Sequence, residues 1–122
     1  MRTLILFAHG SRDAAWAQPF EHLRAQLAAL LPQAQIAMAY LELMPPTLPE
    51  CVAQLIDEGA TMITVVPVFL AQGSHLRHDL PTLIETLRIA YPQHSIDVTP
   101  PIGEQAEVIA AIAACIARLT AT

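Results

Sequence analysis

Apolar positions along this chain follow two alternating rhythms. The runs Thr3 to Ala8, Gln35 to Leu41 and Thr61 to Val68 are apolar at most positions, the third rich in β-branched residues, and a short fourth run is Ser95 to Thr99. Near-continuous apolar runs of this length predict strands covered on both faces, as in a parallel sheet. Between and after them, apolar residues recur every three or four positions, the period of a helix with one buried stripe. The first helix is predicted over Trp16 to Leu31, with Phe20, Leu23, Leu27 and Leu30 as its stripe. Pro19 fits only its first turn and Pro32 ends it. The second opens on Thr47 as N-cap with Glu50 three residues on, a capping box, and closes near Gly59. The third is predicted to begin near Asp79 or Leu80, with Pro81 in its first turn, and to end by Tyr91-Pro92. The fourth spans Gln105 to Leu119. Ile109, Ile112, Ile116 and Leu119 are expected to face the sheet, leaving Ala110, Ala113, Ala114 and Ala117 for close approach by another helix.

Strand and helix thus alternate four times, which implies an α/β domain with a four-stranded parallel sheet flanked by helices, one domain over residues 1–122. The flavodoxin-like order 2-1-3-4 is expected, with its topological switch between strands one and three. In open α/β sheets ligands bind outside the carboxyl ends of the strands, at that switch. Pro67, unable to donate to a ladder, should mark the end of strand three.

The loops that leave strands one and three each carry a histidine beside glycine: Ala8-His9-Gly10-Ser11-Arg12 and Leu70-Ala71-Gln72-Gly73-Ser74-His75-Leu76-Arg77. Topology therefore brings His9 and His75 to one crevice with no assumption about function. Imidazole is a base near neutral pH and a ligand for first-row metals, so the pair points to a metal or proton-transfer site. Glycine lets backbone approach a ligand closely. Glu42, at the end of strand two, is able to orient an imidazole, bind a cation or accept a proton; its alternative is a solvated loop carboxylate. His78, one helical turn after His75, reads as a first-turn residue of helix three or a further ligand. His22 and His94 read as solvated.

Composition narrows the partners. Hydrophobic residues make up 54% and charged residues 14%, with a net charge of −5. An ordinary domain carries about 25% charged residues, so a second subunit is expected to cover apolar surface. All six basic residues are arginines, and Arg12 and Arg77 lie within three residues of the paired histidines. An acidic chain without lysine is a poor match for nucleic acid or for an anionic membrane surface. Arginine suits bidentate capture of carboxylates. Cys51 and Cys115 lack metal-type spacing and read as small buried apolar residues. The apolar run before His9 is too short for a signal peptide and no run is long enough to span a membrane, so a cytoplasmic protein is expected.

Three motifs in order resemble the small CbiX-type sirohydrochlorin cobaltochelatases, which belong to the chelatase-like group. They are Leu6-Phe-Ala-His9-Gly-Ser-Arg12, Tyr40-Leu-Glu42-Leu-Met-Pro45-Pro, and Pro67-Val-Phe-Leu-Ala-Gln-Gly73-Ser-His75-Leu-Arg-His78-Asp-Leu-Pro81, and the resemblance covers nearly the whole chain. It implies insertion of a divalent metal, typically Co2+, into the tetrapyrrole sirohydrochlorin, as in cobalamin biosynthesis. It implies that His9 is catalytic, as metal ligand and proton acceptor, and that His75 is the second ligand. It implies that Glu42 and the loop Leu70, Ala71, Gln72, Gly73, Ser74 and His75 contact the macrocycle. No prosthetic group is implied; the metal is a substrate. Small members of the family form homodimers, and larger relatives carry two such lobes in one chain.

The chemistry agrees with the residue types. Metallation removes two pyrrolic protons and strips water from the metal, and imidazole serves both needs. Arg12, Arg77 and nearby helix N-termini offer positive potential to the rim carboxylates of the substrate. Phe69, Leu70, Leu41 and Met44 are expected to line the flat ring. Two other readings compete. Histidine phosphatases also place His-Gly at a strand end but need an arginine directly before that histidine, where this chain has Ala8. A non-catalytic metal or tetrapyrrole carrier would use the same fold and histidines.

Overall fold

The structure, a computed structural model, describes residues 2–121. Four parallel strands, β1 (Arg2–Ala8), β2 (Gln35–Tyr40), β3 (Met62–Pro67) and β4 (Ser95–Val98), form one sheet in the order β2-β1-β3-β4. This is the order expected from the alternation. β1, an inner strand, is the most completely buried of the four: Thr3 to Ala8 are all buried. β3 ends at Pro67, in register with Phe7 of β1.

Helices α2 (Leu48–Asp57) and α3 (Ser74–Ala90) cover one face of the sheet. Leu48, Cys51, Val52 and Leu55 from α2, with Leu76, Leu80, Ile84 and Leu87 from α3, bury against Ile5, Phe7, Ile63, Val65 and Ile96. The capping box of α2 is formed on both sides: Thr47 N–H donates to the Glu50 carboxylate at 2.8 Å, and Glu50 N–H donates to the Thr47 hydroxyl at 3.3 Å. Helix α1 (Gln18–Leu30), preceded by a 3-10 turn over Ala14–Ala17, packs on the other face against Leu4, Leu6, Ile36 and Met38.

Three expectations about helices are corrected, as are the readings of Cys115 as buried and His94 as solvated. Helix α3 starts at Ser74, not at Asp79 or Leu80, so Pro81 lies inside it. The extended Gly73 (φ −69°, ψ 165°) serves as N-cap, and Leu76 begins the buried spacing continued by Leu80, Ile84 and Leu87. Packing of Leu76 outweighs the one backbone bond that Pro81 cannot donate.

The stripe of α1 is also shallower than its spacing suggests. Phe20 and Leu27 are half-buried, while Leu23 and Leu30 are exposed. The 3-10 turn places Trp16 beside Phe20, with ring centroids 4.7 Å apart, so the first turn rests on an aromatic pair.

The third correction concerns α4 (Ala106–Leu119). Ile109, Ile112, Ile116 and Leu119 do not face the sheet; all four are exposed, as is Cys115. His94 is half-buried, edge-on to Tyr91, and not fully solvated. No helix among the described residues is long and apolar enough to cross a membrane.

Candidate functional site

The ladder between β1 and β2 runs on past the last residues of both strands. Leu41 N–H donates to the Ala8 carbonyl at 2.8 Å, and Glu42 N–H donates to the His9 carbonyl at 3.0 Å. The Glu42 backbone is thereby tied to the His9 backbone. Gly10 follows in the left-handed region (φ +95°), and a side chain there would run into the Glu42 carbonyl. Only glycine permits this approach. The loop after Glu42 carries strain of its own: Leu43 is a non-glycine residue with φ +71°, a conformation that costs about 1 kcal/mol and gathers at functional loops. Met44 ties this loop to the next, its sulfur accepting the Ser11 N–H at 3.4 Å.

On the other side of β1, Val68 N–H donates to the Phe7 carbonyl at 2.8 Å, extending the pairing with β3. Phe69 then turns inward and is buried. Its ring meets Phe7 edge-on at 5.8 Å and His9 edge-on at 4.6 Å. The β3–α3 loop is thus the wall against which the exposed His9 imidazole stands. Phe69 supports that imidazole from beneath and does not line a ring site, which corrects the sequence reading.

Leu70 to Gly73 continue as a largely exposed loop into α3. His75 and His78 are both exposed and both lie on α3, one turn apart on the same side of the helix. The expected contrast between a loop His75 and a helical His78 is therefore removed. The guanidinium of Arg77 donates back to the Gln72 carbonyl at 3.4 Å, closing the loop onto the helix. Arg12 is exposed on the β1–α1 loop. Arg24 pairs with Glu21 at 3.8 Å, and Arg88 with Glu85 at 3.6 Å and Asp97 at 3.7 Å, all away from this edge. The Ser11 hydroxyl accepts the Asp13 N–H at 3.0 Å, so it stiffens its own loop.

Two features of the site were not read from the sequence. Leu43 joins Leu41 and Leu70 as an exposed apolar residue on the loops at this edge, in place of Phe69 and Met44. Exposed leucines on the loops beside a histidine form an apolar rim suited to a flat, greasy ligand. Gly103 lies beneath the same loop: its N–H donates to the Phe69 carbonyl at 2.9 Å, and a side chain there would strike the Leu70 carbonyl. Pro100-Pro101-Ile102-Gly103 gave a turn signal, but not its partner. A cavity of about 430 Å3 lies elsewhere, between α1, β2 and α2, and none of the histidines lines it. Among the described residues no group of three or more His, Cys, Asp or Glu is arranged to hold a metal.

A parallel α/β domain with imidazole, carboxylate and exposed leucines on the loops at the switch-point edge of β1, β2 and β3 belongs to the class of ligand-binding doubly wound domains. Residues 3–119 match the CbiX family, and the chain belongs to that family. A crystal structure of a CbiX protein from Marinobacter aquaeolei VT8 superposes with a TM-score of 0.82 at 37% identity, covering 97% of this chain and 96% of that one. A sirohydrochlorin cobaltochelatase of Methanocaldococcus jannaschii is 37% identical over 86 residues, 69% of this chain and 59% of that protein. A sirohydrochlorin ferrochelatase of Bacillus subtilis is 36% identical over 75 residues, 62% of this chain and 29% of that protein. The matched region therefore spans well under two thirds of these two relatives.

Proposed function

We propose that this protein is a sirohydrochlorin chelatase, inserting a divalent metal into the tetrapyrrole. The observation that carries the reading is His9: an exposed imidazole at the end of β1, buttressed by Phe69 and tied through its own carbonyl to Glu42. The relatives in the same family are named for this activity with cobalt and with iron. Co2+ is the metal we assign first, as a substrate with no resident prosthetic group, and Fe2+ is the alternative.

In the proposed reaction two pyrrolic protons leave and one metal ion enters the ring. His9, as neutral imidazole, first ligates the metal with His75 as second ligand; as the metal passes to the ring, the freed imidazole accepts one pyrrolic proton and water takes the other. The rim of Leu41, Leu43 and Leu70 holds one face of the macrocycle, with Glu42 and residues 70–75 at its edge. Arg12 and Arg77 take rim carboxylates. Two copies of the chain form the working unit, because one lobe leaves this site open.

A carrier with the same fold would bind metal or tetrapyrrole without converting either. Turnover separates the two: the enzyme yields metallated product in excess over protein with Co2+ or Fe2+, followed by absorbance. Product capped at one equivalent per site under excess substrate would overturn the chelatase reading.

A further inference from the structure

Strand β2 is an edge strand, and its outer side is only partly closed. At its carboxyl end Tyr40 N–H donates to the Pro46 carbonyl at 2.9 Å, and Tyr40 pairs with Thr47 as in a parallel ladder. Leu41 N–H turns the other way, to Ala8 of β1. Successive residues of a paired strand direct their backbone groups to opposite sides. Counting back by two from Tyr40, Met38 and Ile36 direct their N–H and C=O groups outward, and among the described residues these groups meet no partner. An edge of this kind is a template for another extended segment.

That edge is the floor of the 430 Å3 cavity, a trough walled by α1 and α2. Glu21 and Arg24 stand on the α1 wall, paired at 3.8 Å. Gln54 and Glu58 stand on the α2 wall, the amide donating to the carboxylate at 3.4 Å. Tyr40 also lines the trough. It is 5% exposed, and its hydroxyl makes no hydrogen bond among the described residues. Burial, then the Glu21 carboxylate, push the phenol up, while Arg24 pulls it down, so the hydroxyl lies beside both charges of the α1 wall. Two carboxylates against one guanidinium leave the lining with one net negative charge. No residue assigned to the site around His9 lines the trough.

We propose that this trough binds an extended, basic peptide segment of a partner protein, which adds as a strand to the free edge of β2. Ile36 and Met38 each offer one donor and one acceptor, and the main chain of an extended peptide returns both at the same spacing. Cationic side chains of the peptide meet Glu21 and Glu58 on the walls, and the Tyr40 hydroxyl gains a polar partner. The β2 edge of a second copy does not fit, because it is recessed between its own helices and would bring like charges together. The proposal stands whether or not the chain is a chelatase.

Amide exchange followed by NMR on the full chain tests it. Without peptide, the Ile36 and Met38 amides should exchange faster than those of Ala37 and Ala39, which bond to β1. The probe is a blocked hexapeptide of alternating valine and lysine. It should slow the Ile36 and Met38 amides at least tenfold, saturably in the millimolar range or below. Fluorescence of Trp16, the single tryptophan, should change with it, since that ring lies 6.4 Å from the Tyr40 ring. The same peptide with alternate backbone nitrogens methylated should lose the effect, and a glutamate version should bind at least tenfold more weakly. Glu58→Arg, at an exposed position, should reverse that charge preference. Should this variant not fold, the methylated peptide decides alone. No saturable change with the lysine peptide, equal binding of the methylated peptide, or an unchanged preference in folded Glu58→Arg would each overturn the proposal. Amides of Ile36 and Met38 that are slow without peptide, and slower as the protein is concentrated, would give the edge to a second copy and overturn it as well.

Discussion

At the residue scale, the site depends on groups that stand exposed and on buried groups that hold them there. Arg12 and Arg77 are exposed cations on the loops flanking His9 and His75. Replacing each with glutamine should raise KM for a polycarboxylated substrate several-fold with a smaller change in kcat, and the effect should shrink at high salt. Steady-state kinetics at two ionic strengths checks this. Cys51 shows the opposite condition. Burial pushes its thiol up to about 11 from an ordinary 9.0. The folded state therefore holds a proton that the unfolded chain releases first. The stabilisation is complete below pH 9 and is lost as pH rises towards 11, a difference of about 3 kcal/mol for two pKa units. Cys51→Ala should remove that alkaline slope in urea titrations between those limits, at a cost near neutral pH of about 1–3 kcal/mol for the cavity it leaves.

At the element scale, what the sequence made legible was set by how far each signal is local. The Thr47/Glu50 box lies within four residues and was read to the residue. The parallel sheet followed from alternation, and the strand order from the flavodoxin-like topology chosen for four such units. The onset of α3 was missed because Pro81 looks like a first-turn proline, while the signal that wins, Leu76 four residues before Leu80, is a packing signal against the sheet. Gly103 was missed because it acts on the Leu70 carbonyl, far away in sequence, and Leu43 because its exposure follows from a left-handed backbone that a leucine does not signal. With His75 and His78 both on α3, their roles are separable by affinity. His75→Ala should weaken Co2+ binding at least tenfold, about 1.4 kcal/mol, and His78→Ala by much less. Equal losses in titration calorimetry would make His78 a ligand too. Gly103→Ala, by forcing the Leu70 carbonyl aside, should cost about 1–3 kcal/mol and lower activity further than that loss explains. Thermal melts and turnover, measured together, test it.

At the scale of the whole molecule, the low charge of the chain has a structural counterpart: α4 is exposed from Ile109 onward yet holds only two charged side chains, Glu107 and Arg118. Melting temperature should therefore rise with protein concentration, as it does when folding is coupled to association. The site is open in one lobe, so a second copy both covers apolar surface and encloses a large substrate. The central claim nevertheless rests on one imidazole. His9 is exposed, and among the described residues its side chain makes only the edge contact with Phe69, so removing it should leave the lobe intact. The direct measurement is insertion of Co2+ into sirohydrochlorin by His9→Ala beside wild type, with circular dichroism on both. The account predicts superimposable spectra and a rate at least about a hundredfold lower, the scale of a lost general base. A folded variant that inserts metal at the wild-type rate would contradict it.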